Sequence, residues 1–181
     1  MNQDLPRWVI VTISVVIGAL ALMVFLNFER LDVYRTYLRE KSPEIQTRFN
    51  DLSVSMDEAT VKQHFSGLAF RCMVQRAGED DLGERVCYAP IEKADGEAAL
   101  GLAALFNKSK LVRVIVQMPW WVLDGWAERS TLQYGEPKFA GRVSLVGGPV
   151  LRWTLPNGHL ESNRDRSFNL LSWNVVIWTG R

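Results

Sequence analysis

The chain has 181 residues, a formal net charge of +1, 48% hydrophobic residues and 23% charged residues. The nearly balanced charge gives no electrostatic support for a nucleic-acid partner. The composition is ordinary for a globular domain joined to one membrane span, and the length suits one compact domain or two small halves packed together.

The N-terminal segment 8–28 carries no charged side chain over about 21 positions. At ~1.5 Å per residue, a helix of this length crosses the ~30 Å hydrocarbon core and satisfies its own backbone there. The sequence therefore predicts a transmembrane helix at 8–28 after a short tail at 1–7. The alternatives are a buried core helix and a cleaved signal peptide. The run is longer than the ~7–15 apolar residues of a signal peptide, which favours an uncleaved anchor.

Small side chains share one face of this predicted span. Ser14 and Gly18 are four residues apart, and Ala21 lies close by on the same face. Small residues let two helices approach closely in lipid, where packing replaces the hydrophobic driving force. We therefore expect this face to contact another helix within the membrane.

The segment 29–54 is predicted to be a juxtamembrane helix and linker. Its approximate helical stripe consists of Leu31, Tyr34, Leu38, Ile45 and Phe49. Pro43 disfavours helix at the residue before it, so a break is expected there. The stripe fits a solvated stalk, and the alternative is a surface that binds a neighbouring chain.

A short helix is predicted next, because Ser55 and Glu58 match a capping box with Ser55 as the N-cap. It runs to about residue 66, with Gly67 in the C′ position. His64 lies on this helix, and we interpret it as a structural rather than a catalytic residue.

Cys72 and Cys87 are predicted to form a disulfide bond. They lie in predicted strands at 70–75 and 84–89, and a register that places them opposite each other also centres the intervening loop between them. Directly opposed residues have Cα atoms ~4.5–5.5 Å apart, a distance that a disulfide spans. Two free thiols in a cytosolic domain remain the alternative. A metal site is disfavoured because only His64 and His159 could complete the ligand set.

Turn signals divide the rest of the first half. Asp95-Gly96 is a strong hairpin signal, and a second turn is predicted at 107–110. We interpret the segment 98–106 between them as a strand because it is short and bounded by turns. Alternating valines predict a further strand at 111–117.

The second half begins with a predicted helix at 120–134, which Pro119 precedes and Gly135 follows. Gly125 inside it costs ~1 kcal/mol relative to Ala, which suggests a close packing contact. Strands are predicted after it at 142–146, 150–155, 159–162 and 170–178, with a turn at 147–149.

Tryptophan is abundant in this half. Trp126, Trp153 and Trp173 are interpreted as core residues, with a partner surface as the alternative. Trp120 and Trp121 are adjacent on a predicted helix, so both cannot point fully inward. One of them is expected to face a partner or the membrane interface.

The segments 55–118 and 119–181 repeat one pattern at an offset of about 68 residues. Each begins with a helix that ends in glycine and continues with three or four strands. One half cannot bury much apolar surface alone. We therefore predict an α+β fold in which a duplicated unit forms one continuous antiparallel sheet with both helices on one face.

This doubled pattern resembles the architecture of the beta-lactamase inhibitory protein. One unit resembles the small outer-membrane assembly lipoproteins of the SmpA/OmlA type. The resemblance rests on the helix before Gly67 with its Cys72–Cys87 hairpin, and on the run 133–137 with the strands after it. It covers about residues 55–180 and implies a protein-binding surface rather than chemistry.

The sequence contains no recognisable catalytic motif. His64 and His159 have no neighbouring Ser or Cys that suggests a nucleophile and base. The acidic run 79–81 lacks the spacing of a calcium loop, and 147–149 lacks the residues of a phosphate loop. We therefore predict no enzymatic activity, no cofactor and no metal site, and we expect no nucleic-acid or small-molecule ligand.

The leading hypothesis is a single-pass accessory subunit or assembly factor of a membrane or envelope complex, acting through protein–protein contacts. The alternative is an inhibitor or immunity-type protein for a secreted partner. Four basic residues between positions 30 and 41 favour a cytoplasmic domain, whereas a disulfide favours an oxidising compartment. Because the register of the two cysteines favours a disulfide, we predict that the domain is periplasmic. The apolar helix would then be an inner-membrane anchor, with membrane or periplasmic proteins as partners.

Overall fold

The computed structural model describes residues 6–39, 42–75, 83–143, 148–165 and 173–181. The fold is α+β, with one long apolar N-terminal helix and a mostly antiparallel sheet. The helices are α1 (Arg7–Leu26), α2 (Phe28–Arg39), α3 (Glu58–His64) and α4 (Leu123–Tyr134). The strands are β1 (Glu44–Ile45), β2 (Arg71–Val74), β3 (Arg85–Pro90), β4 (Lys93–Ala94), β5 (Glu97–Ala98), β6 (Gly101–Asn107), β7 (Lys110–Pro119), β8 (Lys138–Val143), β9 (Gly148–Leu155), β10 (Gly158–Asn163) and β11 (Trp173–Gly180).

The N-terminal apolar segment forms α1, whose 20 residues include no buried one. Its length and its mean hydropathy of 2.9 are sufficient for a helix that crosses a membrane. The helix ends at Leu26 rather than at residue 28, because the backbone leaves helical geometry at Asn27. The side-chain amide of Asn27 donates to the Met23 carbonyl at 2.8 Å, and α2 begins at the next residue.

The predicted juxtamembrane helix is correct only as far as Arg39. Ile45 lies in β1 and Phe49 in a 3-10 helix at Phe49–Asp51, so both are buried outside any α-helix. The reason is a long-range pairing in which β1 runs parallel to β4. The Pro43 and Ile45 carbonyls accept the amides of Glu92 and Asp95 at 3.1 and 2.9 Å.

Helix α3 begins two residues later than the capping box predicted. Asp57, not Ser55, is the N-cap, and its carboxylate accepts the Thr60 amide at 2.9 Å. Ser55 is instead hydrogen-bonded to the Ser53 side chain. The helix ends at His64, and Gly67 follows as a left-handed residue with φ of 95°.

Eight strands form the main sheet in the order β2-β3-β6-β7-β11-β10-β9-β8, and all their pairings are antiparallel. This confirms the predicted antiparallel sheet for these strands. Strands β1, β4 and β5 form a separate small sheet that the sequence did not predict. Its β4–β5 hairpin turns at Asp95-Gly96, as predicted, with both residues at positive φ.

Residues that are paired directly across neighbouring strands lie on the same face of the sheet. One row across seven strands consists of Cys72, Cys87, Ala104, Val114, Trp178, Leu160 and Trp153. These side chains belong to one hydrophobic core, to which Val61 of α3, Phe65 directly after α3 and Trp126 of α4 also contribute. Both helices therefore pack on this face, and the Trp126 and Trp153 rings meet edge-on with centroids 5.5 Å apart.

The helix predicted at 120–134 is present, although its first turn, Trp120–Val122, is a 3-10 helix. Gly135 ends it at φ of 85°, with its amide bonded to the Thr131 carbonyl at 2.9 Å. The expected close contact at Gly125 is wrong, because an added Cβ would meet only Glu97 Oε1 at 3.8 Å. Trp126 and Trp153 are core residues, as predicted, whereas Trp173 is only half-buried.

Several predicted features lie wholly or partly outside the described residues. The acidic run 79–81, the strand residues 144–146 and the strand residues 170–172 are among them. Gly148 and Pro149, predicted as part of a turn, begin β9 instead.

Candidate functional site

The two cysteines are joined, as predicted. Cys72 and Cys87 lie directly opposite each other in the β2–β3 pair and form a disulfide. Glu58 at the start of α3 lies beside this bond and pairs with Lys62 at 2.6 Å and with Arg85 at 2.7 Å. Hydrogen bonds from Lys62 and then from Arg85 hold the pKa of the Glu58 carboxyl below its usual value.

Glu58 and the two cysteine sulfurs have potential ligand atoms within 4.8 Å of one another. Metal binding by cysteine requires thiolates, and both sulfurs are committed to the disulfide. This cluster therefore stabilises the junction between α3 and the sheet and does not form a metal centre in the oxidised protein.

A buried carboxylate lies on the sheet face opposite the helices. Glu161 is buried and accepts hydrogen bonds from Nε of Arg152 at 2.8 Å and from its Nη2. His159 Nε2 lies 3.7 Å from the same carboxylate oxygen. Burial lowers the pKa of His159, and Arg152 and two further arginines act in the same direction, while Glu161 opposes them. The histidine therefore favours its neutral form.

A cleft of about 310 Å³ lies between the linker and α4. The linker contributes residues 46–49, Asp95 comes from the β4–β5 turn, and α4 contributes the other wall. The lining side chains of α4 are Trp126, Arg129, Ser130, Gln133 and Tyr134. Their spacing of three and four residues places them on one helical face. The sequence did not predict this cleft.

Long-range hydrogen bonds hold the linker wall in place. The amide and the hydroxyl of Thr47 donate to the two carboxylate oxygens of Asp95 at 2.8 and 2.6 Å. His64 Nε2 lies 3.3 Å from the Thr47 carbonyl. At the next residue, Arg48, the backbone turns through left-handed geometry with φ of 44°.

Tyr134 extends the polar lining of the cleft. Burial, with a smaller contribution from the Asp95 charge, raises its pKa to about 12. Its hydroxyl is therefore protonated at neutral pH and available as a hydrogen-bond donor.

Of the two adjacent tryptophans, Trp121 is the exposed one, at 47% relative exposure, and Trp120 is half-buried. The Trp121 ring lies 6.2 Å from the Tyr34 ring of α2 and 5.9 Å from the Trp120 ring, centroid to centroid. The Tyr34 hydroxyl is buried without a hydrogen-bond partner among the described residues, and burial raises its pKa. We call Tyr34 and Trp121 the aromatic patch.

The small residues predicted to form a helix contact remain on the surface of α1. Ser14, Gly18 and Ala21 are exposed, and a Cβ added at Gly18 would meet nothing within 4 Å. The contact proposed for this face is therefore sterically available.

The described residues thus provide three separate surfaces: the small-residue face of α1, the aromatic patch and the polar cleft. Comparisons with known protein families, with curated proteins and with solved structures gave no match.

Proposed function

We propose that the protein is a non-enzymatic, single-pass accessory subunit or assembly factor of a membrane or envelope complex, and that it acts by protein–protein binding. The observation that carries the proposal is α1, an apolar helix with no buried residue. Apolar surface costs about 25 cal/mol per Å² in water, so such a helix requires lipid or a partner helix. The face of Ser14, Gly18 and Ala21 suits a partner helix.

The aromatic patch supports a second contact near the membrane surface. Tyr34 is about seven residues beyond Asn27, so at ~1.5 Å per residue it lies at most ~10 Å past the end of α1. Trp121 is in ring contact with Tyr34 and therefore stays close to the same level. Tryptophan is enriched both at membrane interfaces and in the energetic centres of protein contacts.

We also propose that the domain is an internal duplication located outside the cytoplasm. Counted inward from either edge of the main sheet, the strands occur in chain order, with β2, β3, β6 and β7 from one edge and β8–β11 from the other. One helix, α3 or α4, precedes each set. The disulfide supports an oxidising compartment.

Co-purification from membranes in mild detergent tests the proposed function. We expect partner proteins to remain with the wild type and to be reduced for Trp121→Ala. Leu132→Ala is the matched control, because Leu132 is an 88% exposed apolar residue of α4 outside the aromatic patch. A protein that migrates alone under these conditions contradicts the proposal.

One observation favours the inhibitor or immunity-type alternative. β2 is an edge strand of the described sheet, and Met73 and Val74 on it are 59% and 71% exposed. Exposed apolar edge strands can accept a strand from another protein. On this alternative, residues 42–181 alone bind the partner as tightly as the full chain, whereas the accessory-subunit proposal requires the span.

A further inference from the structure

We propose that the cleft between the linker and α4 binds a carboxylate group carried on a small apolar or aromatic body. This ligand is additional to the partner contacts proposed above, and its binding does not depend on membrane anchoring. The inference departs from the sequence-based expectation that the protein takes no small ligand, and it rests on the cleft's construction, charge and size.

The cleft is preformed on its linker side. Thr47 is buried and uses two donors to hold Asp95. The Asn157 side chain donates to the carbonyls of Phe49 and Leu52, each at 2.7 Å, and so ties the linker to the turn before β10. Because these bonds connect segments distant in the sequence, the wall is ordered before any ligand arrives. Preorganisation removes a large part of the entropic cost of binding.

The charge of the lining favours a single negative charge on the ligand. Arg48 and Arg129 line the cleft together with one carboxylate, that of Asp95. Both oxygens of Asp95 already accept hydrogen bonds from Thr47. Arg129 pairs with Glu97 at 2.8 Å, whereas Arg48 makes no ion pair with a described residue. Guanidinium groups bind carboxylates through charge-assisted hydrogen bonds.

Uncharged donors in the lining point to the same class of ligand. Ser130 is buried, and its side chain makes no hydrogen bond to another described residue. The Tyr134 hydroxyl and the Gln133 amide add further donors. A carboxylate has about four lone-pair sites and can accept from several of these groups at once.

The size and the apolar lining define the rest of the ligand. About 310 Å³ holds roughly ten water molecules at ~30 Å³ each. The buried rings of Trp126 and Phe49 contribute apolar surface to the lining. The ligand is therefore a carboxylate attached to a group such as a phenyl ring, as a peptide C-terminus, an acidic side chain or a free acid would supply.

Nuclear magnetic resonance titration of the full-length protein in detergent micelles tests this inference. The probe is N-acetylphenylalanine, and its matched control is N-acetylphenylalaninamide, which has the same number of non-hydrogen atoms but no charge. A ligand of about fifteen such atoms is expected to bind with a Kd in the millimolar range. The indole signal of Trp126 reports binding in the cleft, and the Trp121 signal outside the cleft serves as reference.

We expect the acid to shift the Trp126 signal saturably and to bind at least about tenfold more tightly than the amide. Arg48→Gln should weaken binding of the acid by about tenfold, whereas Arg71→Gln, an exposed arginine of β2, should leave it within about twofold. Preserved dispersion of the indole signals establishes that each variant is folded.

Comparison with 3-phenylpropanoate and with the α-amide of N-acetylglutamate distinguishes a chain terminus, a free acid and an acidic side chain as sources of the carboxylate. The inference is overturned if the acid and the amide bind equally, or if the signal change is confined to Trp121. It is also overturned if none of the three acids causes a saturable change at concentrations up to about 50 mM.

Discussion

Loss of the disulfide is expected to lower the free energy of unfolding by about 3 kcal/mol. Cys72 and Cys87 are 15 residues apart, and the chain-entropy treatment gives about 3 kcal/mol for a loop of this length at 25 °C. This is a large part of the ~5–15 kcal/mol that stabilises a typical domain. Because β2 pairs only with β3 in the described sheet, the bond also secures an edge strand.

Cys72→Ala is the most informative substitution. Cys87 is buried in the core, whereas Cys72 is only partly buried, so this variant removes the bond and leaves the Cys87 side chain in place. For a domain of about 140 residues, 3 kcal/mol corresponds to a fall in Tm of about 10 °C. Tryptophan fluorescence of the full-length protein in mild detergent follows this transition, since most of the seven tryptophans lie in the domain.

Reduction provides the internal control. Dithiothreitol should lower the Tm of the wild type to about that of Cys72→Ala and should leave the variant unchanged. Hydrogen exchange should also become faster in Arg71–Val74. A variant that melts within about 2 °C of the wild type, or two alkylatable thiols in the non-reduced wild type, would refute the reasoning.

Three further predictions concern single residues. Gly18→Leu places a large side chain on the small-residue face of α1 and should release the protein from its complex in detergent, so retained association contradicts a helix contact there. Gly125→Ala should raise the free energy of unfolding by about 0.5–1 kcal/mol, because Gly125 is an exposed helical residue with room for a Cβ; a lower Tm would contradict this. Burial lowers the pKa of His159, so the unfolded state binds a proton more readily as the pH falls through about 6.5, and stability falls with it. His159→Gln should flatten this dependence between about pH 7.5 and 5.5, and an unchanged slope would show that His159 is not its source.

The sequence predicted the elements whose signals are local. The positions of Cys72 and Cys87 about the β2–β3 loop defined the register, and the Asp95-Gly96 pair defined the β4–β5 hairpin. The α4 helix was predicted because Pro119 precedes the helical segment and Gly135 follows it. In each case, the residues that specify the geometry are close together in the chain.

The features that were missed depend on contacts between distant segments. β1 has two residues and becomes a strand only by pairing with β4, so it is too short to show a hydrophobic periodicity in the sequence. The hydrogen bond between Thr47 and Asp95 joins residues 48 positions apart and holds one wall of the cleft in place. The N-cap of α3 was misplaced because Ser55 and Asp57 are both good capping residues, and only Asp57 reaches the amide of Thr60.

The most direct test of the proposed function is site-specific photo-crosslinking in native membranes. A photoreactive amino acid replaces Trp121 in the full-length protein, and the same substitution at Leu132 serves as the control, because both side chains are exposed. We expect a discrete protein adduct from position 121 in the membrane fraction and none from position 132. Recovery of the protein without an adduct at 121, or equal adducts at both positions, would contradict it.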